Sequence, residues 1–120
     1  KNAQGQNLWQ LVREIGRLAE AARTGKAKSD EMQGGTLTVT SLGPLGGIAT
    51  TPVINRPEVA IIGPNKIVER PAIADGELVI AKQMNLSISC DHRVVDGYDA
   101  ASYVQALKKM LETPVLILAD

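Results

Sequence analysis

Aromatic side chains are almost missing from this sequence: Trp9, Tyr98 and Tyr103 are the only three in 120 residues, and there is no Phe. So few rings disfavour the base-stacking surfaces used to grip single-stranded nucleic acid. Cysteine occurs once, at Cys90, which excludes an intramolecular disulfide and any multi-cysteine zinc or iron–sulfur site. Charge of one sign is lacking too, since 13 Lys and Arg balance 13 Asp and Glu. No strong field draws the chain onto nucleic acid or an anionic membrane, and neither is expected as a partner. No apolar run approaches bilayer-spanning length, and Lys1 to Asn7 are polar, unlike a signal peptide. A soluble protein of a reducing compartment is therefore expected. The chain opens on Lys1 and not Met, and is expected to have been cut from something longer.

What is present is aliphatic. Hydrophobic residues make up 44% of the chain, so the expected core is built from Leu, Ile, Val and Ala. Apolar residues at 8, 11, 12, 15, 18, 19 and 22 have helical spacing and predict a helix over 8–22, with Gly25 as its stop. From Thr36 to Leu42 the pattern alternates, with Leu37 and Val39 opposing Thr36, Thr38 and Thr40. It predicts a strand with one apolar and one hydroxyl-bearing face. A small-residue loop over 43–51 follows. Strand segments are expected over 58–63 and 66–69. Asp75-Gly76, between the β-rich runs 67–73 and 78–81, predicts a tight hairpin. Residues 83–90 alternate again, with Leu86, Ile88 and Cys90 opposing Asn85, Ser87 and Ser89. A second helix is expected over 99–112, with Asp99 as its N-cap, Ala100, Tyr103, Val104, Leu107 and Leu111 on its inner face, and Thr113-Pro114 as its end. The fold class is mixed α/β (α+β), with largely antiparallel strands.

The lone histidine, His92, sits between a strand and a helix in Asp91-His92-Arg93-Val94-Val95-Asp96-Gly97. Three readings are open. A metal site would need more ligands than Asp91 and Asp96 provide, and no second His exists. In a structural role, His92 would bond a backbone carbonyl and Asp96 would cap the next helix. As a general base, His92 would exchange protons near neutral pH, where an unperturbed imidazole titrates (about 6.5), with nearby acids fixing its geometry. Thr40 is equally ambiguous: it suits a strand, and its hydroxyl could also donate to an oxyanion. Cys90 alternates with Leu86 and Ile88, which favours packing over a thiol nucleophile. Lys82, Arg93, Lys108 and Lys109 read as solvated charges.

Asp-His-Arg-Val-Val-Asp-Gly at 91–97 resembles the His-x-x-x-Asp-Gly signature of the dihydrolipoamide acyltransferases, the E2 components of 2-oxo acid dehydrogenase complexes. Further blocks agree in order: Gly-Gly-Thr-Leu-Thr-Val-Thr-Ser-Leu-Gly at 34–43, Thr-Pro-Val-Ile-Asn-Arg-Pro-Glu-Val-Ala-Ile at 51–61, and Met-Asn-Leu-Ser-Ile-Ser-Cys at 84–90. The likeness runs through essentially the whole chain. It implies a chloramphenicol acetyltransferase-like fold, of which residues 1–120 would form the C-terminal half of the catalytic domain. The lipoyl and subunit-binding domains would lie outside the chain.

The resemblance implies acyl transfer between dihydrolipoamide and coenzyme A, with the lipoyl group carried on an absent domain and coenzyme A as a substrate. His92 would be the general base, Thr40 the oxyanion donor and Asp96 the residue that orients the loop, with Gly97 allowing its turn. His92 and Thr40 would come from neighbouring subunits of a trimer that assembles further into a cage. E1 and E3 components would be partners through absent domains. The compartment would be the bacterial cytoplasm or the mitochondrial matrix. The phrases at 52–61 and 82–87 look most like branched-chain acyltransferases. Acetyl transfer in a pyruvate complex is the alternative, and a non-catalytic trimer-forming core is the rival from another class. The chain by itself is expected to show little turnover.

Overall fold

The computed structural model describes residues 1–118, which divide into two compact units, Lys1–Gly35 and the described residues from Thr36 onward. The first unit is built on helix α1 (Leu8–Arg23). Its start is fixed by a reciprocal box: the Asn7 side chain accepts from Gln10 N–H at 3.0 Å, and the Gln10 side chain accepts from Asn7 N–H at 2.9 Å. Its end is the expected one. Gly25 takes φ +68°, and the N–H groups of Gly25 and Lys26 bond the carbonyls of Ala22 and Ala21, a Schellman closure that only a left-handed residue permits cheaply. Arg17 then bridges Glu14 and Glu31, which ties the helix to the following turn at Ser29–Glu31.

The second unit holds a three-stranded sheet in the order β1 (Thr38–Val39), β2 (Ala60–Pro64), β5 (Leu86–Cys90). β1 runs parallel to β2, and β5 antiparallel to it. β3 (Val68–Ala74) and β4 (Glu77–Gln83) form a separate hairpin. Its turn is Asp75-Gly76, both at positive φ (+52° and +83°), the arrangement that matches the strands' right-handed twist. Helix α2 (Gly97–Glu112) follows β5 and ends at Thr113.

Several boundaries differ from the sequence expectation. The strand expected over 36–42 is paired only at Thr38–Val39, because the chain leaves β2 after Thr40 N–H bonds Ile62 O at 2.8 Å. Glu58 belongs to a turn closed on Asn55, so β2 starts at Ala60. Residues 67–69 lead into the hairpin, and Gln83 ends β4 in place of beginning β5. The cap of α2 is Asp96 and not Asp99: Asp96 has extended backbone and its side chain accepts from Asp99 N–H, so the helix begins two residues earlier than expected.

The register sorts the sheet into two unlike faces. Cross-strand partners share a face and alternate residues change face. Thr38, Ile61 and Ser89 therefore stand together, joined by Gly63 and Ser87. Val39, Ile62 and Ile88 stand on the opposite face with Ala60 and Cys90. α2 packs against the β5 side of the second face and leaves Val39 exposed. Leu37, Ala60, Ile88 and Cys90 line a groove of about 250 Å³ with Val95, Ala100 and Tyr103. Cys90 is thus a packing residue there, as its alternation with Leu86 and Ile88 predicts. The hydrophobic core is small: among the described residues only Ile61 (5% exposed) and Ile62 (3%) are buried apolar side chains. Tyr103 faces that groove from the inner face of α2 as expected, but it and Leu111 stay about half exposed, and Leu8, Val12 and Ile15 of α1 are exposed.

Candidate functional site

The His92 loop is held at its first residue. Asp91 N–H bonds Val59 O at 2.8 Å, and Asp91 O accepts from Val94 and Val95 N–H at 2.9 and 3.0 Å, folding the chain back before α2. The Asp91 carboxylate accepts from the Arg93 backbone at 3.1 Å and from its guanidinium at 2.9 and 3.2 Å. These bonds to Arg93 hold the Asp91 carboxyl down at about 2 and raise the guanidinium. Arg93 is exposed, the solvated charge expected, and its guanidinium is also paired with Asp91 across the loop. The signal for this pairing, an acid and a base two residues apart around the lone histidine, was present but not distinctive. At the other end Asp96 Oδ1 accepts Asp99 N–H at 2.8 Å. Between these two anchors His92 is exposed. No protein group among the described residues is hydrogen-bonded to its ring.

Thr40 stands elsewhere. Its neighbours on the hydroxyl face are Thr38, whose Oγ1 donates to the buried Glu58 Oε2 at 2.5 Å, and Gly63. Thr40 lines a cavity of about 240 Å³ with Ser41, Thr50 and Asn65, walled by Leu42, Pro52 and Pro64. His92 is not among the lining residues. The register explains why. Thr40 lies beside the Ile62–Gly63 end of β2, whereas His92 lies beyond Cys90, which pairs with Ala60 at the opposite end. At 3.3 Å per residue and 4.8 Å per strand the two are roughly 15–20 Å apart. One chain does not bring His92 and Thr40 together. Asp96, at the helix start, is with His92.

Sequence reasoning missed three residues of the Thr40 region. Asn65 is 92% buried, and its Nδ2 faces Gly63 O, Asn85 O and Ser87 Oγ at 3.1, 3.0 and 2.9 Å. Ser87 Oγ also accepts from Thr50 N–H at 3.1 Å. These contacts span up to 37 residues in sequence, so no local pattern could reveal them. No group of three or more His, Cys, Asp or Glu side chains is placed to hold a metal among the described residues. None of their helices is long and apolar enough to cross a membrane.

A mixed sheet with a histidine loop at one end and a hydroxyl-lined cavity at the other defines a class. The chain belongs to the family of 2-oxoacid dehydrogenases acyltransferase (catalytic domain), whose pattern it matches over residues 1–119. It is 54% identical, over all 120 residues, to the lipoamide acyltransferase component of the branched-chain alpha-keto acid dehydrogenase complex of Pseudomonas aeruginosa. It is 42% identical over the same length to the dihydrolipoyllysine-residue acetyltransferase component of the pyruvate dehydrogenase complex of Staphylococcus aureus. In each case it spans 28% of the relative's length. Among solved structures it resembles the Azotobacter vinelandii dihydrolipoamide acetyltransferase (TM-score 0.91, 40% identity, 98% of this chain and 49% of that one). It also resembles the cubic core of a pyruvate dehydrogenase multienzyme complex (TM-score 0.87, 42% identity, 94% of this chain and 46% of that one).

Proposed function

We propose that the protein transfers an acyl group between the thiols of dihydrolipoamide and coenzyme A in a 2-oxo acid dehydrogenase complex, with a branched-chain acyl group as cargo. The observation that carries this reading is one of spacing. The Azotobacter vinelandii enzyme has been studied for a serine, a histidine and an asparagine in its catalytic mechanism, and these are fifty-two and then four positions apart. Thr40, His92 and Asp96 have the same two separations. Threonine replaces serine with the hydroxyl kept, and aspartate replaces asparagine with the capping oxygen kept. The higher identity to the branched-chain component than to the pyruvate component supports the branched-chain cargo.

In this reading His92 takes the proton from the attacking thiol, because the thiolate is the nucleophile. The sulfur bonds to the thioester carbonyl carbon, and the oxygen becomes an oxyanion that accepts a hydrogen bond from the Thr40 hydroxyl. The intermediate collapses by breaking the original carbon–sulfur bond, and His92 returns its proton to the departing sulfur. Asp96 and the Asp91–Arg93 pair hold the loop. The separation of His92 from Thr40 within one chain supports a site shared between two copies, and likeness to a cubic core, which has three-fold axes, supports a trimer that assembles further. The chain spans about half of the solved catalytic chains, and we assign it to the C-terminal half of that domain. The lipoyl group and the E1 and E3 components would meet parts of the protein outside this chain.

The test is an acyl-transfer assay from acyl-coenzyme A to dihydrolipoamide in the native protein, repeated with His92→Ala. A loss of turnover of about 10²–10⁴ with assembly intact is expected. Unchanged turnover would remove the base role, and a fully inactive native protein that still assembles would favour the purely structural core.

A further inference from the structure

Glu58 is the one buried carboxylate among the described residues, 8% exposed, and the acyl-transfer chemistry leaves it unused. Burying an ionisable group is costly unless a partner compensates it. Its partner is not a cation but the Thr38 hydroxyl, which donates to Oε2 at 2.5 Å across 20 positions of sequence. Each end of this bond leads to something functional. Thr38 lies in β1, two residues before Thr40. Glu58 closes a turn by bonding its N–H to Asn55 O at 2.9 Å, and the next residue, Val59, accepts the Asp91 N–H that anchors the histidine loop. The Val59–Asp91 bond extends the β2–β5 ladder one step past the Ala60–Cys90 pair, so it is the last bond on that side, with only the 55–58 turn beyond it. Terminal bonds of a ladder are the ones that fray. Arg56, in the same turn, adds to the attraction, led by Arg93, that lowers the Asp91 carboxyl, which again sets the turn beside the loop.

We propose that Glu58 is a positioning residue for His92: its bond to Thr38 keeps the 55–58 turn closed, and so holds the Val59 carbonyl and, through Asp91, the histidine loop. The proposal rests on the acyl-transfer reading above for the role of His92. The other ties on the loop do a different job. The Asp91–Arg93 pair and the Asp96 cap join residues of the loop and helix start to one another, so they set the loop's internal shape. The Thr38–Glu58 bond fastens the base of the loop to a separate strand, and so sets where that shape sits on the sheet. A general base must come within hydrogen-bond reach of the thiol, and a small misplacement costs a large part of the rate. The bond needs an oxygen acceptor on Glu58 and a hydroxyl on Thr38; it does not need the charge.

The test is a cycle of variants in the native assembled protein: Thr38→Val, which keeps the β-branch and removes the hydroxyl, Glu58→Ala, and the two together. Each should lower kcat about tenfold and leave KM for coenzyme A and for dihydrolipoamide within about twofold. The double variant should lose no more than either single one, because the same bond is lost in all three. Glu58→Gln keeps an oxygen for the Thr38 hydroxyl and should hold kcat within about twofold of native. Should Glu58→Ala not assemble, Thr38→Val set against Glu58→Gln carries the same contrast. Hydrogen exchange reads the position without turnover. In Thr38→Val the Asp91 amide should exchange about tenfold faster, while that of Ser89, opposite Ile61 in the middle of the same ladder, should not change. A lower melting temperature with native kcat and native exchange at Asp91 would overturn the proposal and leave Glu58 a residue of the fold alone. A loss in Glu58→Gln as large as in Glu58→Ala would overturn it too. Failure of the acyl-transfer reading would appear separately, as turnover indifferent to His92→Ala while the Asp91 amide is still quickened in Thr38→Val.

Discussion

Asp96 Oδ1 accepts a 2.8 Å hydrogen bond from the backbone N–H of Asp99, and this one bond both starts α2 and ends the histidine loop. Its loss and the loss of the Asp96 charge can be separated. Asn caps a helix about as well as Asp, whereas Ala does not, and removing a cap costs about 1 kcal/mol. Asp96→Ala should lower stability by about that amount in a denaturant melt, and Asp96→Asn should change it by only a few tenths. If turnover falls in Asp96→Ala but not in Asp96→Asn, the loop needs the cap and not the charge.

Thr40→Val removes the hydroxyl and keeps the β-branched shape. Turnover should fall by about 10²–10³ with little change in coenzyme A affinity, because an oxyanion donor acts only once the carbonyl has been attacked. A change confined to affinity would contradict the oxyanion role.

The register that parts His92 from Thr40 leads to a complementation experiment. Chains carrying His92→Ala and chains carrying Thr40→Val are each expected to be nearly inactive. Co-expressed at equal levels and assembled at random, they should regain about a quarter of native activity, since a shared site draws its histidine from one copy and its threonine from the next. No recovery in verified mixed assemblies would show that both residues serve from one chain.

The Asp91 carboxyl is held at about 2, chiefly by Arg93, against an ordinary aspartate value of 3.8. A carboxyl depressed in the folded state favours folding above its unfolded value and loses that contribution as pH falls through the folded one. The loop should therefore keep its Asp91–Arg93 pair down to about pH 4 and release it between there and pH 2. Carboxyl-carbon NMR titration of Asp91 checks this, and Asp91→Asn should abolish the dependence.

Gly76 adopts φ +83° at the second position of the β3–β4 turn. Gly76→Ala should destabilise the hairpin by about 1 kcal/mol, since a side chain is strained there whatever space surrounds it. Hydrogen exchange at the paired residues Ala72 and Val79 would report the local opening.

The sequence by itself determined those features whose causes lie within a few residues. Helical spacing and Gly25 set α1 and its end, positive-φ chemistry at Asp75-Gly76 set the hairpin, and the order of the blocks around His92 carried the family. Asp96 as a cap was one of two readings left open by sequence, since Asp96 and Asp99 both suit that role and only backbone geometry separates them. The alternations at 36–42 and 83–90 each implied a hydroxyl face, but period two says nothing about which faces coincide. Only the pairing of Thr38 with Ile61 and of Ile61 with Ser89 put the two hydroxyl rows on one side and gave the apolar side to α2. The same pairing parted His92 from Thr40 and gathered Thr50, Asn65 and Ser87, because strand register is set by cooperative long-range packing and not by any local residue preference.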